Sequence, residues 1–124
     1  MAFRGTALKE EDVSSWNHHI GKEFNIPGLS STSEDLGEAL KFAKLTHKHL
    51  QQGKKAFLFV FVVATRGALF HLDTSEYTAY PGEREVLLRE GKRVYVLGRE
   101  ELYSIRFTQS FNIFYAFIPS FGGA

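Results

Sequence analysis

The run AFLFVFVVA, residues 56 to 64, is the longest apolar stretch in the chain and organises the rest of it. Apolar and polar residues do not alternate within it, which is typical of a strand buried on both faces. Its nine residues are about half of the ~18 that a membrane-spanning helix needs. We therefore predict a central strand of a folded domain and no membrane span.

The residues that follow this run predict further strands. Loop chemistry fills the interval 73–83, DTSEYTAYPGE, which is rich in turn formers. The residues Glu90-Gly91-Lys92 lie between two apolar stretches and indicate a hairpin. The strand candidates are GALFHL (67–72), EVLLREGKRVYVLG (85–98, two strands), ELYSIRFTQ (101–109) and NIFYAFIP (112–119).

The residues that precede the run predict a strand and two helices. AFRGTAL, residues 2–8, indicates a strand that ends near Arg4 and is followed by a loop. A helix is predicted next, because the apolar residues Val13, Trp16, Ile20 and Phe24 recur at helical spacing.

A second helix is predicted after the serine cluster at 30–33. Ser33 precedes two acidic residues, which favours it as the helix N-cap. The apolar stripe continues to about Gln52, and Gly53 is a suitable stop. Phe42 is expected on the core face of this helix.

Length and composition indicate one α+β domain spanning residues 1–124, with a mainly antiparallel sheet or sandwich. The 124 residues include 18 aromatic side chains, since there are 12 Phe, 5 Tyr and 1 Trp, which is ample for a core. The formal net charge is +1, and no basic stripe of the kind that binds nucleic acid is present. Cysteine is absent, so disulfides, thiol nucleophiles and cysteine metal sites are excluded.

Histidines do not predict a metal site. They cluster only as His18-His19 and as His47 with His49. Side chains one or two residues apart diverge on a helix, so neither pair forms a metal-binding face. We expect both pairs on the surface.

Three short motifs carry the chemistry: FRG at 3–5, SSTS at 30–33 and GERE at 82–85. Glu83 and Glu85 are two residues apart, and in an extended segment such residues point the same way. Two like charges would then face one site, which a solvated turn does not require. Each motif alone is common, and the weight comes from their order and from the elements on which they lie.

Together the motifs resemble the Arg…Ser-Thr-Ser…Glu-x-Glu signature of mono-ADP-ribosyltransferases, and in particular the arginine-specific, cholera-toxin-like members. The similarity runs from about residue 3 to residue 97 and includes FLFVFVV. The resemblance implies a split β-sandwich of two mainly antiparallel sheets with flanking helices, and NAD as co-substrate without a metal. It covers toxins, bacterial effectors and host enzymes alike.

The resemblance also implies roles for residues of the first two motifs. Arg4 would clamp the NAD diphosphate, because a guanidinium offers a planar fork of donors to phosphate oxygens. Gly5 would let its backbone approach the nicotinamide amide. Ser31 would hold the catalytic glutamate and the nicotinamide ribose. The alternatives are a surface arginine for Arg4 and plain turn chemistry for Ser31.

For the third motif the resemblance implies that Glu85 is the catalytic residue, because its carboxylate would stabilise the oxocarbenium-like charge on the ribose. Glu83 would hold and deprotonate the acceptor, and a glutamate there goes with arginine acceptors in this family. Tyr80 would contact the protein substrate, with a loop aromatic folded onto the core as the alternative.

The leading hypothesis is therefore an NAD-dependent enzyme that ADP-ribosylates an arginine of a protein. An NAD glycohydrolase and a catalytically inactive interaction module with the same fold are the rivals. Family members carry a helical region before the first-strand arginine, whereas Arg4 is the fourth residue here. The chain is thus expected to lack that region, as a piece, as a minimal version, or because a partner supplies it.

Overall fold

The computed structural model describes residues 1–25, 30–63, 69–71, 85–88 and 93–119. Its helices are a 3-10 turn (Glu10–Val13), α1 (Ser14–His18), α2 (Leu36–Ala43) and α3 (His47–Gln51). Its strands are β1 (Ala2–Leu8), β2 (Glu23–Asn25), β3 (Ser30–Ser33), β4 (Lys55–Val63), β5 (Leu69–His71), β6 (Glu85–Leu88), β7 (Arg93–Ser104) and β8 (Gln109–Ile118). The α+β prediction is confirmed.

These strands form one sheet in the order β2-β7-β8-β4-β1-β3-β6-β5. Within the described ranges six of the seven pairings are antiparallel, and only β4 with β8 is parallel. Seven residue pairs join β1 to β4, whereas a single pair, Phe3 with Ser33, joins β1 to β3. Of the neighbouring strands in this sheet, β1 and β3 are therefore joined by the fewest paired residues.

Strand β4 lies at the centre of the core, as its sequence predicted. Residues 56–61 are all buried, because neighbouring strands cover its edges and apolar groups cover both faces. On one face Phe57, Phe59 and Phe114 stack, with ring centroids 5.5–6.4 Å apart. Trp16 of α1 packs on this face, 4.7 Å from Phe59 between centroids. Phe114 of the C-terminal strand β8 is thus part of the core.

Helix α2 covers the opposite face of β1 and β4. Ala39 and Ala43 are buried against Leu58 and Val60, and the small side chains let the helix backbone approach the sheet closely. Phe42, expected on the core face, is instead 60% exposed. The helix meets the sheet through its alanines, so the position of Phe42 falls outside the contact.

The N-terminal region departs from its predicted elements in two places. Strand β1 continues through Leu8 instead of ending near Arg4, because its full length pairs with β4. The first α-helix ends at His18, and Phe24 lies in strand β2 instead of on a helix. Gly21 has φ of +80°, which turns the chain from the helix into β2.

The second predicted helix is interrupted. Helix α2 ends at Ala43, and α3 starts again after Thr46, whose side chain accepts a hydrogen bond from the His49 N–H at 3.2 Å. The amide N–H of Leu45 donates to Oε1 of Gln109 on β8, which holds the break against the sheet. Gly53, with φ of +71°, follows α3 as the predicted stop.

The hairpin predicted around 90–92 is wrong. Strand β6 pairs with β3 and β5, whereas β7 pairs with β2 and β8, so consecutive strands lie at different ends of the sheet. The segments 93–98 and 101–104, predicted as parts of separate strands, form the single strand β7 with a bulge between Val96 and Gly98. Burial of long-range partners overrides the local turn signal here.

A guanidinium ties the 3-10 turn to the sheet. Arg99 of β7 donates from Nη1 and Nη2 to the two carboxylate oxygens of Glu10, each at 2.8 Å. It also donates to Oδ1 of Asn17 at 3.0 Å and of Asn112 at 2.9 Å. The charge lies over the rings of Phe57 and Phe114, 5.3 and 5.2 Å from their centroids. The side chain of Arg99 thereby links β7 to the 3-10 turn, to α1 and to β8.

This linkage makes part of the stability dependent on pH. The hydrogen bonds from Arg99 hold the pKa of Glu10 below its ordinary value of 4.5. A carboxyl whose pKa is lowered by folding stabilises the protein above the unfolded pKa, and that contribution is lost as pH falls through the folded pKa. We expect Glu10→Gln to lower the melting temperature at pH 7, and the gap to the wild type to close below about pH 4.5.

Thermal melts of both proteins between pH 3 and pH 7 would measure this effect. The control is Glu11→Gln at the exposed neighbouring position, which should change the unfolding free energy by less than about 0.5 kcal/mol at any pH. A gap that stays constant from neutral to acid pH would contradict the role of the Glu10 charge.

Candidate active site

The strands that carry the three motifs are consecutive neighbours in the sheet. The arginine motif lies on β1, the Ser-Thr-Ser motif forms β3, and Glu85 begins β6. The order β1-β3-β6 brings together residues that are up to 81 positions apart, from Arg4 to Glu85. Because Phe3 pairs with Ser33 and Ser33 pairs with Glu85, the backbones of the three motifs lie side by side.

Arg4 lies inside β1, opposite Phe59 of β4, and its side chain is half-buried. Side chains alternate along a strand, so Arg4 lies on the opposite face of β1 from Phe3 and Gly5. At the junction with β3, Phe3 pairs with Ser33, and Ser33 pairs with Glu85. By the same alternation the positions of Ser31 and Glu85 share the face of Phe3, and the position of Arg4 is on the other face of the sheet.

Ser31 and Glu85 lie diagonally across the β3–β6 pair. Ser31 is opposite Leu87, and Glu85 is opposite Ser33. Diagonal positions of this kind have Cα atoms about 7–8 Å apart, a separation that polar side chains can bridge. The register therefore brings the first serine of the motif and the second glutamate into one neighbourhood.

The end of β3 is fixed by two local hydrogen bonds. Oγ of Ser33 accepts from the Asp35 N–H at 2.9 Å, and Oδ1 of Asp35 accepts from the Glu38 N–H at 3.2 Å. Asp35, not Ser33, is therefore the N-cap of α2, and Ser33 forms the turn before it. Asp35 with Glu38 three residues later is a capping-box spacing, a signal in the sequence that could have identified the cap.

Gly5 has a structural reason to lack a side chain. A Cβ atom at this position would lie 1.7 Å from the carbonyl oxygen of Ala39 and 2.7 Å from its carbonyl carbon. Backbone of β1 and backbone of α2 thus touch where the arginine motif lies. The proposed contact of the Gly5 backbone with nicotinamide is a separate prediction that this packing does not test.

The remaining site residues are only partly covered by the described ranges. Glu83 and Tyr80 lie outside the described residues, so their roles stay predictions. Sequence reasoning missed Asp35 as the N-cap of α2, although its hydrogen bonds are local. It also missed Arg99, which anchors the 3-10 turn through contacts with residues far away in the sequence.

Two classes of site are absent from the part of the chain that the structure describes. In these ranges no group of three or more His, Asp or Glu side chains is arranged to hold a metal ion. None of the helices described in them is long and apolar enough to cross a membrane. His18 is exposed, and the half-buried His19 stacks on Phe24 at 4.8 Å between ring centroids.

No protein-family model and no curated protein sequence matches the chain. Solved structures of ADP-ribosyltransferases do match it. Vis toxin from Vibrio splendidus superimposes with a TM-score of 0.60 at 18% identity, covering 98% of this chain and 48% of Vis. Vis has also been solved in complex with agmatine.

Two further toxins have the same arrangement. Plx2a from Paenibacillus larvae matches with a TM-score of 0.63 at 15% identity, over 96% of this chain and 60% of Plx2a. Exoenzyme S from Pseudomonas aeruginosa was solved with Carba-NAD bound. It matches with a TM-score of 0.54 at 17% identity, over 92% of this chain and 46% of the exoenzyme S chain.

The chain therefore has the ADP-ribosyltransferase fold. It spans between about half and three fifths of the lengths of these three toxins.

Proposed function

We propose that this chain is an NAD-dependent mono-ADP-ribosyltransferase that modifies an arginine of a protein and releases nicotinamide. The observation that carries the proposal is the adjacency of β1, β3 and β6, which are the strands bearing Arg4, Ser31 and Glu85. The chain shares its fold with the ADP-ribosyltransferases Vis and Plx2a, and with exoenzyme S, which was solved with Carba-NAD bound. The single residue pair between β1 and β3 supports a division into two sheets with the dinucleotide at the cleft.

NAD is the substrate that fits this set of residues. Arg4 binds the diphosphate through its guanidinium, which stays charged at any physiological pH. Ser31 donates its hydroxyl hydrogen to the Glu85 carboxylate and orients it. The backbone at Gly5 meets the nicotinamide amide. No metal is required, because the positive charge that develops on the ribose is met by a carboxylate.

In the reaction, the bond between ribose C1 and the nicotinamide nitrogen breaks, and the electron pair leaves with nicotinamide. Glu85 stabilises the oxocarbenium-like ribose, since a carboxylate close to the developing positive charge lowers the barrier. A guanidine nitrogen of the acceptor then forms the new bond to C1. Glu83 takes one proton from the acceptor guanidinium, which frees the lone pair of this nitrogen for the bond, and the ADP-ribosyl-guanidinium product keeps one positive charge.

A guanidino acceptor is favoured by Glu83. Its carboxylate matches the planar fork of a guanidinium in a bidentate contact. Agmatine, which carries the same guanidinium as arginine, was solved in complex with Vis. Tyr80 precedes the acidic pair and contacts the protein substrate around the acceptor arginine.

Replacing Glu83 with glutamine tests the assignment of the acceptor. We expect Glu83→Gln to lower ADP-ribosyl-agmatine formation by about a hundredfold, because the base and one charge of the bidentate contact are lost. Nicotinamide release in water should fall far less, since Glu85 remains. Both products can be quantified by chromatography after incubation with NAD and agmatine.

The rival functions give different products in this assay. A glycohydrolase would release free ADP-ribose with agmatine present and would be insensitive to Glu83→Gln. An inactive interaction module would release no nicotinamide at all. Transfer to lysine- or asparagine-containing peptides but not to agmatine would overturn the arginine assignment alone.

A further inference from the structure

The outer edge of strand β7 is largely unpaired in the described structure. Strand β7 is twelve residues long, and β8 pairs along its inner edge from Tyr95 to Ser104. Along the outer edge, β2 pairs only with residues 93–95, and the bridge from Ile20 reaches Val96. Among the described residues nothing pairs with the outer edge from Arg99 to Ser104, a stretch of roughly 20 Å.

This edge exposes large apolar side chains beside its charged residues Arg99, Glu100 and Glu101. Leu102 is 50% exposed, Tyr103 is 64% exposed, and Ile105 in the following turn is 86% exposed. Soluble proteins protect long edge strands with lysines, prolines or bulges, because free N–H and C=O groups recruit another strand. The only bulge of β7 is at 96–98, before the open stretch begins. The open stretch lacks proline and lysine.

We propose that this edge is an isologous interface, at which β7 pairs antiparallel with β7 of a second copy of the chain. In a two-fold pair residue i meets residue j and j meets i, and both must lie on the same face of the joined sheet. The two-fold axis must therefore pass between one residue of the open stretch and the same residue of the second copy. An axis at Glu101 or at Leu102 pairs five residues of the open stretch, whereas an axis at Glu100 or at Tyr103 pairs only three of them. The longer pairings therefore leave Glu101 and Leu102 as the main candidates.

The charges select one of these registers. An axis at Glu100 or at Glu101 would place a carboxylate directly opposite its own copy, which is destabilising. An axis at Leu102 pairs Leu102 with Leu102, Glu101 with Tyr103, and Glu100 with Ser104. Each acidic side chain then faces a hydroxyl-bearing residue, and the apolar pair occupies the centre, as in other protein interfaces.

A second copy is favoured over a strand of another protein, because the open stretch of β7 complements itself in this register. A partner of different sequence does not have to be assumed. Arg99 does not present a free charge to a partner, since Glu10, Asn17 and Asn112 bind its guanidinium. The edge is separated from β1, the nearest of the motif strands, by β8 and β4. The proposal thus does not rest on the proposed enzymatic function.

Sedimentation of the chain over a range of concentrations tests the proposal. We expect the average mass to rise from monomer towards dimer between about 10 and 500 μM, because a short edge pairing is a small interface. Leu102→Lys places like charges at the axis and should raise the dissociation constant at least about tenfold, with melting temperature and circular dichroism unchanged. A monomer at every concentration would overturn the proposal.

A cross-linking experiment tests the register. The chain has no cysteine, so a single introduced thiol can form a disulfide only with its own copy. Directly opposite residues have Cα atoms within disulfide range, so Leu102→Cys should form a covalent dimer under mild oxidation. Leu97→Cys is the matched control, because Leu97 is 58% exposed on the same strand but precedes the open stretch.

The control thiol should stay largely reduced at the same concentration. Cross-linking of Leu97→Cys, or of Glu101→Cys, as fast as that of Leu102→Cys would overturn the register.

Discussion

Glu85→Gln is expected to lower nicotinamide release from NAD by at least about a hundredfold, with or without an acceptor. Glutamine has the shape of glutamate but no negative charge, so it cannot stabilise the oxocarbenium-like ribose. Glu85 begins β6 and lies diagonally from Ser31, and a change of charge there does not alter the strand pairing. The melting temperature should therefore change little.

The loss should appear in kcat, because the carboxylate acts mainly in the transition state. Binding of NAD, measured by calorimetry, should stay within a few-fold of the wild type, since we assign the contact to the diphosphate to Arg4. The matched control is Glu11→Gln in the exposed 3-10 turn, which should leave nicotinamide release unchanged.

Comparison with Glu83→Gln separates the roles of the two glutamates. Loss of both hydrolysis and transfer in Glu85→Gln, with loss of transfer alone in Glu83→Gln, is the expected pattern. Equal activity of the wild type and both variants would refute the assignment of the site while leaving the fold intact.

Gly5→Ala is expected to destabilise the fold by about 3 kcal/mol or more, because overpacking against a fixed backbone is costly. The added methyl group would lie 1.7 Å from the Ala39 carbonyl oxygen and 3.1 Å from the Ala43 Cβ atom. The oxygen belongs to the main chain of α2, so no change of rotamer relieves the contact. The helix would have to move away from β1 and β4.

A domain of this size should then melt about 10 °C or more below the wild type. Gly98→Ala is the matched control on β7, because a Cβ atom there has nothing within 4 Å. It should change the melting temperature by only a degree or two. An unchanged melting temperature in Gly5→Ala would show that α2 does not pack against β1 as closely as described.

Glu85→Gln and Gly5→Ala also distinguish a loss of catalysis from a loss of folding stability at the strands that carry the three motifs. Glu85→Gln should lose activity with the fold retained, whereas Gly5→Ala should lose stability first and activity with it. Activity measured well below the melting temperature of Gly5→Ala separates a nicotinamide contact of the Gly5 backbone from the packing requirement. A folded Gly5→Ala protein with normal turnover would leave only the packing role.

Local sequence determined the elements whose character depends on their own residues. The unbroken apolar run 56–61 could only be a strand covered on both faces, and it is buried throughout. Gly53 ends a helix because it adopts a positive φ without steric cost. The strand that carries Arg4 could likewise be predicted from neighbouring residues, whereas the serines, expected to form a turn and a helix cap, form strand β3.

Tertiary structure decided which strands are neighbours, because pairing depends on burial between residues far apart in sequence. The turn residues at 90–92 indicated a hairpin, but β6 pairs with β3, and this pairing brings Glu85 beside the Ser-Thr-Ser motif. The close approach of Gly5 to Ala39 and the exposure of Phe42 follow from where α2 docks. A sequence pattern indicates the periodicity of a helix or strand and the residues that cap a helix. Where a helix packs on the sheet depends instead on the summed packing of the whole fold.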